Sequence, residues 1–373
     1  MYIFAIIFLS TFAFLEVFNP EIIKKYKAIA IFACFVFFII HDGLRWETGS
    51  DWIVYKEAFD NFYISSYDIK ETFEPLYFVF MGGIRLLSDD YSVYLVIHAL
   101  LFYSIFFYTI FKISTHPFVS LLVFYMIIVP FLGMNRQFLA MAIFSIALIY
   151  IQKEEWKKAL LIILLATFFH RTAFLAIPIV FLRYKIKSWY IIIAYLICGI
   201  IAFSGLINIV GSGVALYLGS DGASGDKLST YVNLDAEFNF ISTILSFARK
   251  LFWIILLFVF DKKVDKGEHP ERYTLLLNTY IISTMIYLLF NGTILQIIVS
   301  RGQLYYNLAE MFIIPYALSI FKNNIGKLAV MVVLSLYCTI NIYKGFSNYG
   351  EGNDFFVPYK GVFINRDYER QDI

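Results

Sequence analysis

Charge is scarce in this sequence. Asp, Glu, Lys and Arg together make up 16% of its 373 residues, against roughly 25% in ordinary soluble domains. Hydrophobic residues reach 60% and aromatic residues 20%, and the mean hydropathy is +0.73. A soluble fold has no means of hiding that much apolar surface. The 41 Phe and 28 Tyr are spread along the whole chain, so the excess belongs to every segment and not to one anchor. This excludes a soluble enzyme with a single tether and points to one integral membrane domain, 1–373, that crosses lipid many times.

Other scarcities narrow the chemistry. Cys34, Cys198 and Cys338 stand singly in apolar runs, without the spacing of a zinc site or of a secreted disulfide module. There is no Gly-rich loop ending in Lys-Ser or Lys-Thr, no His-Glu-x-x-His, no Gly-x-Ser-x-Gly and no cluster of Cys or His. Motifs for nucleotide hydrolysis, zinc chemistry and serine hydrolysis are therefore lacking. Asp89 and Asp90 are merely adjacent in a short turn, so no metal and no cofactor is expected. The net charge of +2, with basic residues in short clusters, gives no field that would draw nucleic acid. No internal repeat is evident, which weighs against inverted-repeat transporters.

What is present is a series of apolar runs. A helix needs about 20 such residues to cross the hydrocarbon. Candidate spans are 2–18, 27–44, 91–111, 117–133, 136–151, 188–210, 240–260, 274–291, 301–320 and 326–345. The first lacks a basic leading region and a cleavage site and carries Glu16, so it reads as a retained span. Two further segments are too short or interrupted. Residues 75–87 contain Gly82, Gly83 and Arg85, and 158–183 are broken by His170-Arg171. Irregular backbone at membrane depth is tolerated only beside protein or a wet cavity, so both hint at a cavity. If 75–87 does not cross and 158–183 enters and returns, the clusters at Lys24–Lys27, Lys112, Lys153–Lys158, Arg183–Lys187, Lys262–Arg272 and Lys322–Lys327 all fall on the cytoplasmic side. The loops 41–74 and 211–240 and the tail 346–373 then lie outside, as does the N-terminus.

A few cations stand apart from those clusters: Arg45, Arg136 and Arg301 at outer helix ends, His170 and Arg171 at the tip of the broken segment, and Arg249 deeper. Ionisable groups at membrane depth mark a substrate path or an internal pair. An arginine fork matches phosphate oxygens two at a time, and Arg301 in Ser300-Arg301-Gly302-Gln303 and Arg136 in Asn135-Arg136-Gln137 each open a helix, whose first N–H groups favour an anion. Any one of these arginines is as readily an interfacial anchor or an ion pair; the set favours a pyrophosphate. Among the acids, Asp51 and Glu47 in Arg45-Trp46-Glu47-Thr48-Gly49-Ser50-Asp51-Trp52 fit a general base or a partner for Arg45. Glu74 precedes Pro75, and Glu310 lies deep enough to neutralise an arginine such as Arg249.

These residues resemble a known family, the EpsG-like branch of Wzy-type polysaccharide polymerases. The segment Arg45–Trp52 with Tyr55 is similar to its Arg-aromatic-x-x-Gly-Thr/Ser-Asp-aromatic element. Glu74-Pro75-Leu76-Tyr77, Asn135-Arg136-Gln137-x-x-Ala140 and His170-Arg171-Thr172-Ala173 follow in order, then Arg301 with Tyr305, Glu310 and Pro315, and finally Pro358-Tyr359-Lys360. Arg171 departs from the family, which often has a smaller or uncharged residue there. The resemblance implies an all-α, GT-C-like transmembrane bundle with an outer-face cavity, in the bacterial cytoplasmic (inner) membrane. It implies a glycosyltransferase that makes O-antigen, capsule or exopolysaccharide from undecaprenyl-pyrophosphate-linked oligosaccharides, with a flippase and a chain-length regulator as candidate partners. On that reading Asp51, His170, Arg136 and Arg301 are catalytic, with His170 as the second candidate base. Arg45, Arg171, Arg249, Gln137, Glu74, Glu310 and Tyr305 bind pyrophosphate or glycan. Aromatic residues of 46–67 and 217–238 cradle sugar rings. The competing readings are a lipid-linked oligosaccharide flippase, another GT-C transferase or ligase, and a transport protein.

Overall fold

The computed structural model describes residues 1–64, 70, 72–211, 240–347 and 355–370, and for 240–243 the backbone alone. The aromatic residues expected at 217–238, most of the 211–240 loop and part of the C-terminal tail lie outside the described residues. Among the described residues every regular element is a helix, and the only strand-like pairings are isolated bridges of Gly361 with Arg45 and with Ile364.

The apolar runs become helices close to where they were expected. They are α1 (Tyr2–Phe18), α3 (Lys27–Gly43), α6 (Tyr91–Ile113), α7 (Pro117–Ile128), α8 (Asn135–Gln152), α10 (Ser188–Phe203), α11 (Phe240–Val259), α12 (Pro270–Phe290) and α14 (Asn324–Ser347). Of these, α6, α12 and α14 are long and apolar enough to cross a membrane by themselves. This is an all-helical membrane protein. The short elements between them are α2 (Pro20–Lys25), α4 (Trp52–Asp60) and α5 (Pro75–Arg85). Proline opens α2, α5, α7 and α12, where its missing N–H costs nothing because first-turn donors have no partner in the helix. The span expected at 301–320 is composite: a π-helical turn (Ile298–Gly302), α13 (Gln303–Ile313) and a 3₁₀ stretch (Ile314–Ile320). Pro315 lacks the donor an α-helix needs, so the winding changes there.

The segment 158–183 folds as a hairpin. Helix α9 (Trp156–Thr167) rises, the chain turns through Phe168–His170, and a 3₁₀ helix (Arg171–Phe181) returns. Twelve α-helical residues cover about 18 Å, short of the roughly 30 Å of hydrocarbon. Neither arm is therefore long enough to cross by itself, and the tip of the hairpin meets the first turn of α8 through Glu74.

Polar side chains tie the loops into two groups. At one end Arg272 donates to the Ile113 carbonyl (3.0 Å) and to Gln152 (2.8 Å), Arg183 pairs with Glu154 (3.0 Å), and Lys266 pairs with Asp261 (2.9 Å). These belong to the basic clusters, which thus gather on one side of the bundle as the charge pattern requires. The other end collects the segments 41–51, 72–75, 132–137, 168–172 and 298–305, together with the C-terminal segment 355–370.

At that second end two glycine turns pack backbone against backbone. Gly49 (φ +109°) and Gly133 (φ +106°) both adopt positive φ, and Ser50 N–H donates to the Leu132 carbonyl (3.1 Å). A Cβ at Gly49 would collide with that carbonyl, and one at Gly133 would stand 2.9 Å from the Asp51 nitrogen. Only glycine meets both demands. The C-terminal segment straps the outer face of the same turn. Trp46 N–H donates to Lys360 O (3.0 Å), Gly49 N–H to Phe355 O (2.9 Å) and Val362 N–H to Leu44 O (2.9 Å), while buried Lys360 pairs with Glu47. Asp51 is thereby fixed relative to the start of α8.

Gly49→Ala is expected to lower stability by on the order of 2 kcal/mol or more. Gly83→Ala, in α5 with nothing within 4 Å of the added carbon, should be neutral or raise it by about 0.5–1 kcal/mol. Thermal unfolding of the two variants in the same detergent checks the difference.

Candidate functional site

Glu74 is the hinge of the site. It is the last residue before Pro75 and α5, is 7% exposed, and its two carboxylate oxygens point at different chain segments. Oε2 accepts from Arg136 Nη1 (2.9 Å), in the first turn of α8, and Oε1 accepts the backbone N–H of Arg171 (3.1 Å), at the tip of the hairpin. The Arg171 Nε lies 3.6 Å from the same oxygen. Leu76 N–H donates to the Phe168 carbonyl (3.0 Å), closing a second link between α5 and the tip. Burial by itself pushes the Glu74 carboxyl up, but Arg136, His170 and the Arg171 N–H outweigh it, and the net shift is downward. The carboxylate stays charged.

Arg136 is held on all sides. Its Nε donates to the Tyr55 hydroxyl (3.1 Å), its Nη1 also reaches the Thr72 carbonyl (3.2 Å), and its guanidinium lies over the Phe73 ring at 4.6 Å. Stacking and these hydrogen bonds from Nε and Nη1 leave it oriented rather than free to swing. Arg301, within the π-helical turn, is 4.0 Å from Asp51, and its carbonyl accepts from Gln137 Nε2 (2.5 Å). Tyr305, one turn on, has its hydroxyl 3.4 Å from Thr172. The structure thus brings Asp51, Glu74, Arg136, His170, Arg171, Arg301 and Tyr305 into one neighbourhood built by five segments far apart in the chain.

His170 caps the 3₁₀ helix. Its Nδ1 accepts the Thr172 N–H (3.3 Å) and lies 2.6 Å from the Thr172 hydroxyl. Burial pushes the ring down to about 3, with Arg136, Arg301 and Arg171 acting in the same direction against Glu74. The imidazole is therefore neutral at pH 7, and with Nδ1 accepting from backbone its proton sits on Nε2. It presents a donor without a charge.

Other residues singled out by sequence lie elsewhere. Arg45 is 1% exposed, paired with Asp42 and bonded to Asn135 Oδ1 (2.7 Å). It supports α8 from beneath instead of lining an outer pocket, because the acid one turn before it on α3 claims its charge. Gln137, 1% exposed, uses its amide to hold the π-helical turn and has no surface for a sugar. Glu310 is neutralised by Lys250 (3.4 Å), with Tyr280 (3.3 Å) and Tyr337 bonded to it, and not by Arg249. One residue along a helix is a rotation of about 100°, which turns Arg249 toward Ser246 instead (3.0 Å).

The outer-face cavity that was expected does not coincide with two hollows described, one between α1 and α14 (about 640 Å³) and one beside Glu16 (about 220 Å³). Among the described residues no group of three His, Cys, Asp or Glu side chains is placed to hold a metal. Phe73, the ring under Arg136, had gone unremarked in the sequence; its place beside Glu74 in an aromatic-rich stretch was the available signal.

The sequence model described as EpsG family matches residues 27–361, an interval that contains the whole of this cluster. No curated protein and no solved structure matches the chain.

Because the His170 ring binds a proton less readily in the folded chain than in the unfolded one, the unfolded chain takes up more protons between those two pKa values. Stability is complete above about pH 6.5 and declines as the pH falls toward 3. Acidifying from pH 7 to 5 should cost roughly 1–2 kcal/mol, and His170→Gln should flatten that slope in thermal unfolding followed across the range.

Proposed function

The chain belongs to the EpsG family, and on that premise we propose that it is a polysaccharide polymerase acting as one membrane domain at the outer face of the bacterial cytoplasmic membrane. It transfers a growing glycan from undecaprenyl pyrophosphate to an undecaprenyl-pyrophosphate-linked repeat unit, on a GT-C-like helical scaffold. The observation that carries this reading is the cluster around Glu74. Arg136, Arg171 and Arg301 face Glu74 and Asp51, so three fixed positive charges stand against two negative ones, with the neutral His170 donor beside them. An excess of oriented donors and positive charge suits a diphosphate.

In this reading the donor diphosphate takes Arg136, Arg171 and Arg301, with His170 Nε2–H completing the set. The acceptor hydroxyl oxygen bonds to the donor sugar C1 while the bond from C1 to the phosphate oxygen breaks, with inversion at C1. Undecaprenyl pyrophosphate leaves with the bonding pair, and its growing charge is what the arginines stabilise. Neutralisation by guanidinium does the work that a divalent cation does in other phosphoryl chemistries, so the reaction proceeds without metal. The hydroxyl proton passes to Asp51, whose carboxylate is released as the diphosphate draws Arg301 away, and then to water. Histidine with Nδ1 already accepting a backbone N–H is poorly placed to be the base, which favours Asp51 of the two candidates.

Purified protein mixed with lipid-pyrophosphate repeat units, chelator and no nucleotide is expected to form a ladder of polymer. Arg136→Gln and Arg301→Gln should each slow it about 100-fold or more, and Asp51→Asn by about 10²–10⁴. In cells the arginine variants should still display single repeat units at the surface. Repeat units accumulating on the inner leaflet in those variants, with no ladder from the wild type, would replace the polymerase with a flippase.

A further inference from the structure

The arm that returns from the hairpin tip is wound as a 3₁₀ helix over 11 residues, Arg171–Phe181. Runs of that winding beyond three or four residues are uncommon, because its hydrogen bonds are poorly aligned. Its side chains at i and i+3 eclipse instead of fanning out, and here that sorts them into two rows. Ala173, Ala176 and Ile179 are fully buried against the bundle, whereas Arg171, Phe174 and Ile177 are exposed. Beyond Pro178, Phe181 continues the outward row. The arm is locked in place from the inner side. The Tyr306 hydroxyl donates to the Leu175 carbonyl (2.9 Å), and the Leu175 side chain fills the space beside Gly302, where a Cβ would come within 2.7 Å of it. The outward row is thereby fixed relative to Arg301, the neighbour of Gly302.

The row has a head and a direction. At its start Arg171 is 68% exposed, whereas Arg136 and Arg301 are 21% and 20% exposed, so of the three arginines in the cluster it is the one on the rim. Just past the end of the row Arg183 pairs with Glu154 (3.0 Å), in the group of contacts at the opposite end of the bundle. Between them the arm runs for about 20 Å, and its exposed side chains after Arg171 are all hydrocarbon. In a bundle this apolar such a face meets lipid. The other arm lacks the head: the outward side chains Leu161, Leu164 and Leu165 of α9 lead up to Phe168 and not to a cation. A cation on a rim, followed by one file of apolar side chains, matches an amphiphile with an anionic head and a single long chain. A glycerophospholipid brings two chains and one phosphate, and the three guanidiniums facing Glu74 and Asp51 suit a diphosphate better.

We infer that Arg171, Phe174, Ile177 and Phe181 seat the isoprenoid chain of the donor lipid diphosphate, its first units against Phe174 and later ones against Phe181. This deepens the polymerase reading and rests on it for the place of the head group in the Glu74 cluster. Bilayer tails are as apolar as the two rings, so the row adds little affinity. What it contributes is direction: with the chain laid along the arm, the diphosphate and the sugar C1 present one orientation to Asp51.

The test is photo-crosslinking of the full-length protein in phosphatidylglycerol nanodiscs carrying undecaprenyl pyrophosphate. Benzoylphenylalanine, which joins to C–H bonds it touches, replaces Phe174, Phe181 or, as the control on the other arm, Leu164; all three face outward, so packing is undisturbed. Mass spectrometry identifies the lipid attached. Undecaprenyl pyrophosphate is expected at the Phe174 and Phe181 positions, several-fold above its yield at Leu164, where phosphatidylglycerol is captured. Geranyl pyrophosphate, too short to follow the whole arm, should attach at the Phe174 position and not at Phe181. Adding Arg171→Gln should lower both undecaprenyl adducts about tenfold and leave the phosphatidylglycerol adduct at Leu164 unchanged. Phosphatidylglycerol alone at all three positions, or equal undecaprenyl adducts at all three, overturns the row, and native mass spectrometry showing undecaprenyl pyrophosphate still bound then leaves the diphosphate cluster standing. Specific adducts along the row from a protein that builds no ladder keep the row and remove the polymerase.

Discussion

A single carboxylate, Glu74, joins three segments that lie far apart in the chain. Its oxygens are shared between the first turn of α8 and the tip of a hairpin, 62 and 97 residues away in sequence. Glu74 and Arg136 are both largely buried, where an unpaired carboxylate or guanidinium is costly, while the exposed Arg171 is held to Glu74 chiefly by its backbone N–H. The consequence is that Arg136 and Arg171 are held at fixed separation from one another before any ligand arrives. Preorganisation of this kind lets fixed charges act on a developing anion without reorganising during reaction.

The rest of that end of the bundle is arranged to keep that geometry. The paired glycine turns at Gly49 and Gly133 bring backbone close enough that Asp51 and Arg136 are set by the same contact. The strap formed by Phe355–Arg370 clamps the Asp51 turn from outside through main-chain hydrogen bonds and the Lys360–Glu47 pair. Below, Arg45 with Asp42 and Asn135 fixes the base of α8. The charged residues at this end thus divide into those that hold the scaffold and those left facing one another across it. Only the second kind carries a net positive charge available to a ligand.

Much of this was legible in the sequence where the signal is local. Continuous apolar runs such as Tyr91–Ile113 read directly as spans, and a His-Arg pair inside 158–183 announced the broken hairpin because neither half was long enough to cross. Long-range partnership was not legible. Arg45 and Arg136 look alike in sequence, each at the end of an apolar run, and only Asp42 three residues before Arg45 hinted that one was already paired. Whether Glu310 meets Lys250 or Arg249 depends on a rotation of about 100° about the α11 axis, which composition cannot specify. Glu74 showed itself merely as an acid before a proline, since its partners are set by tertiary packing. The neutrality of His170 depends in the same way on burial and on Arg136 and Arg301, two arginines that arrive from other segments.

The central claim is that the excess positive charge around Glu74 exists to hold a lipid diphosphate. A cryo-electron microscopy structure of the protein in nanodiscs with undecaprenyl pyrophosphate tests it most directly. The account predicts diphosphate density within hydrogen-bonding distance of Arg136, Arg171 and Arg301, with Glu74 still bridging α8 and the hairpin tip. Diphosphate bound elsewhere, with those three arginines turned toward protein carboxylates, would contradict it.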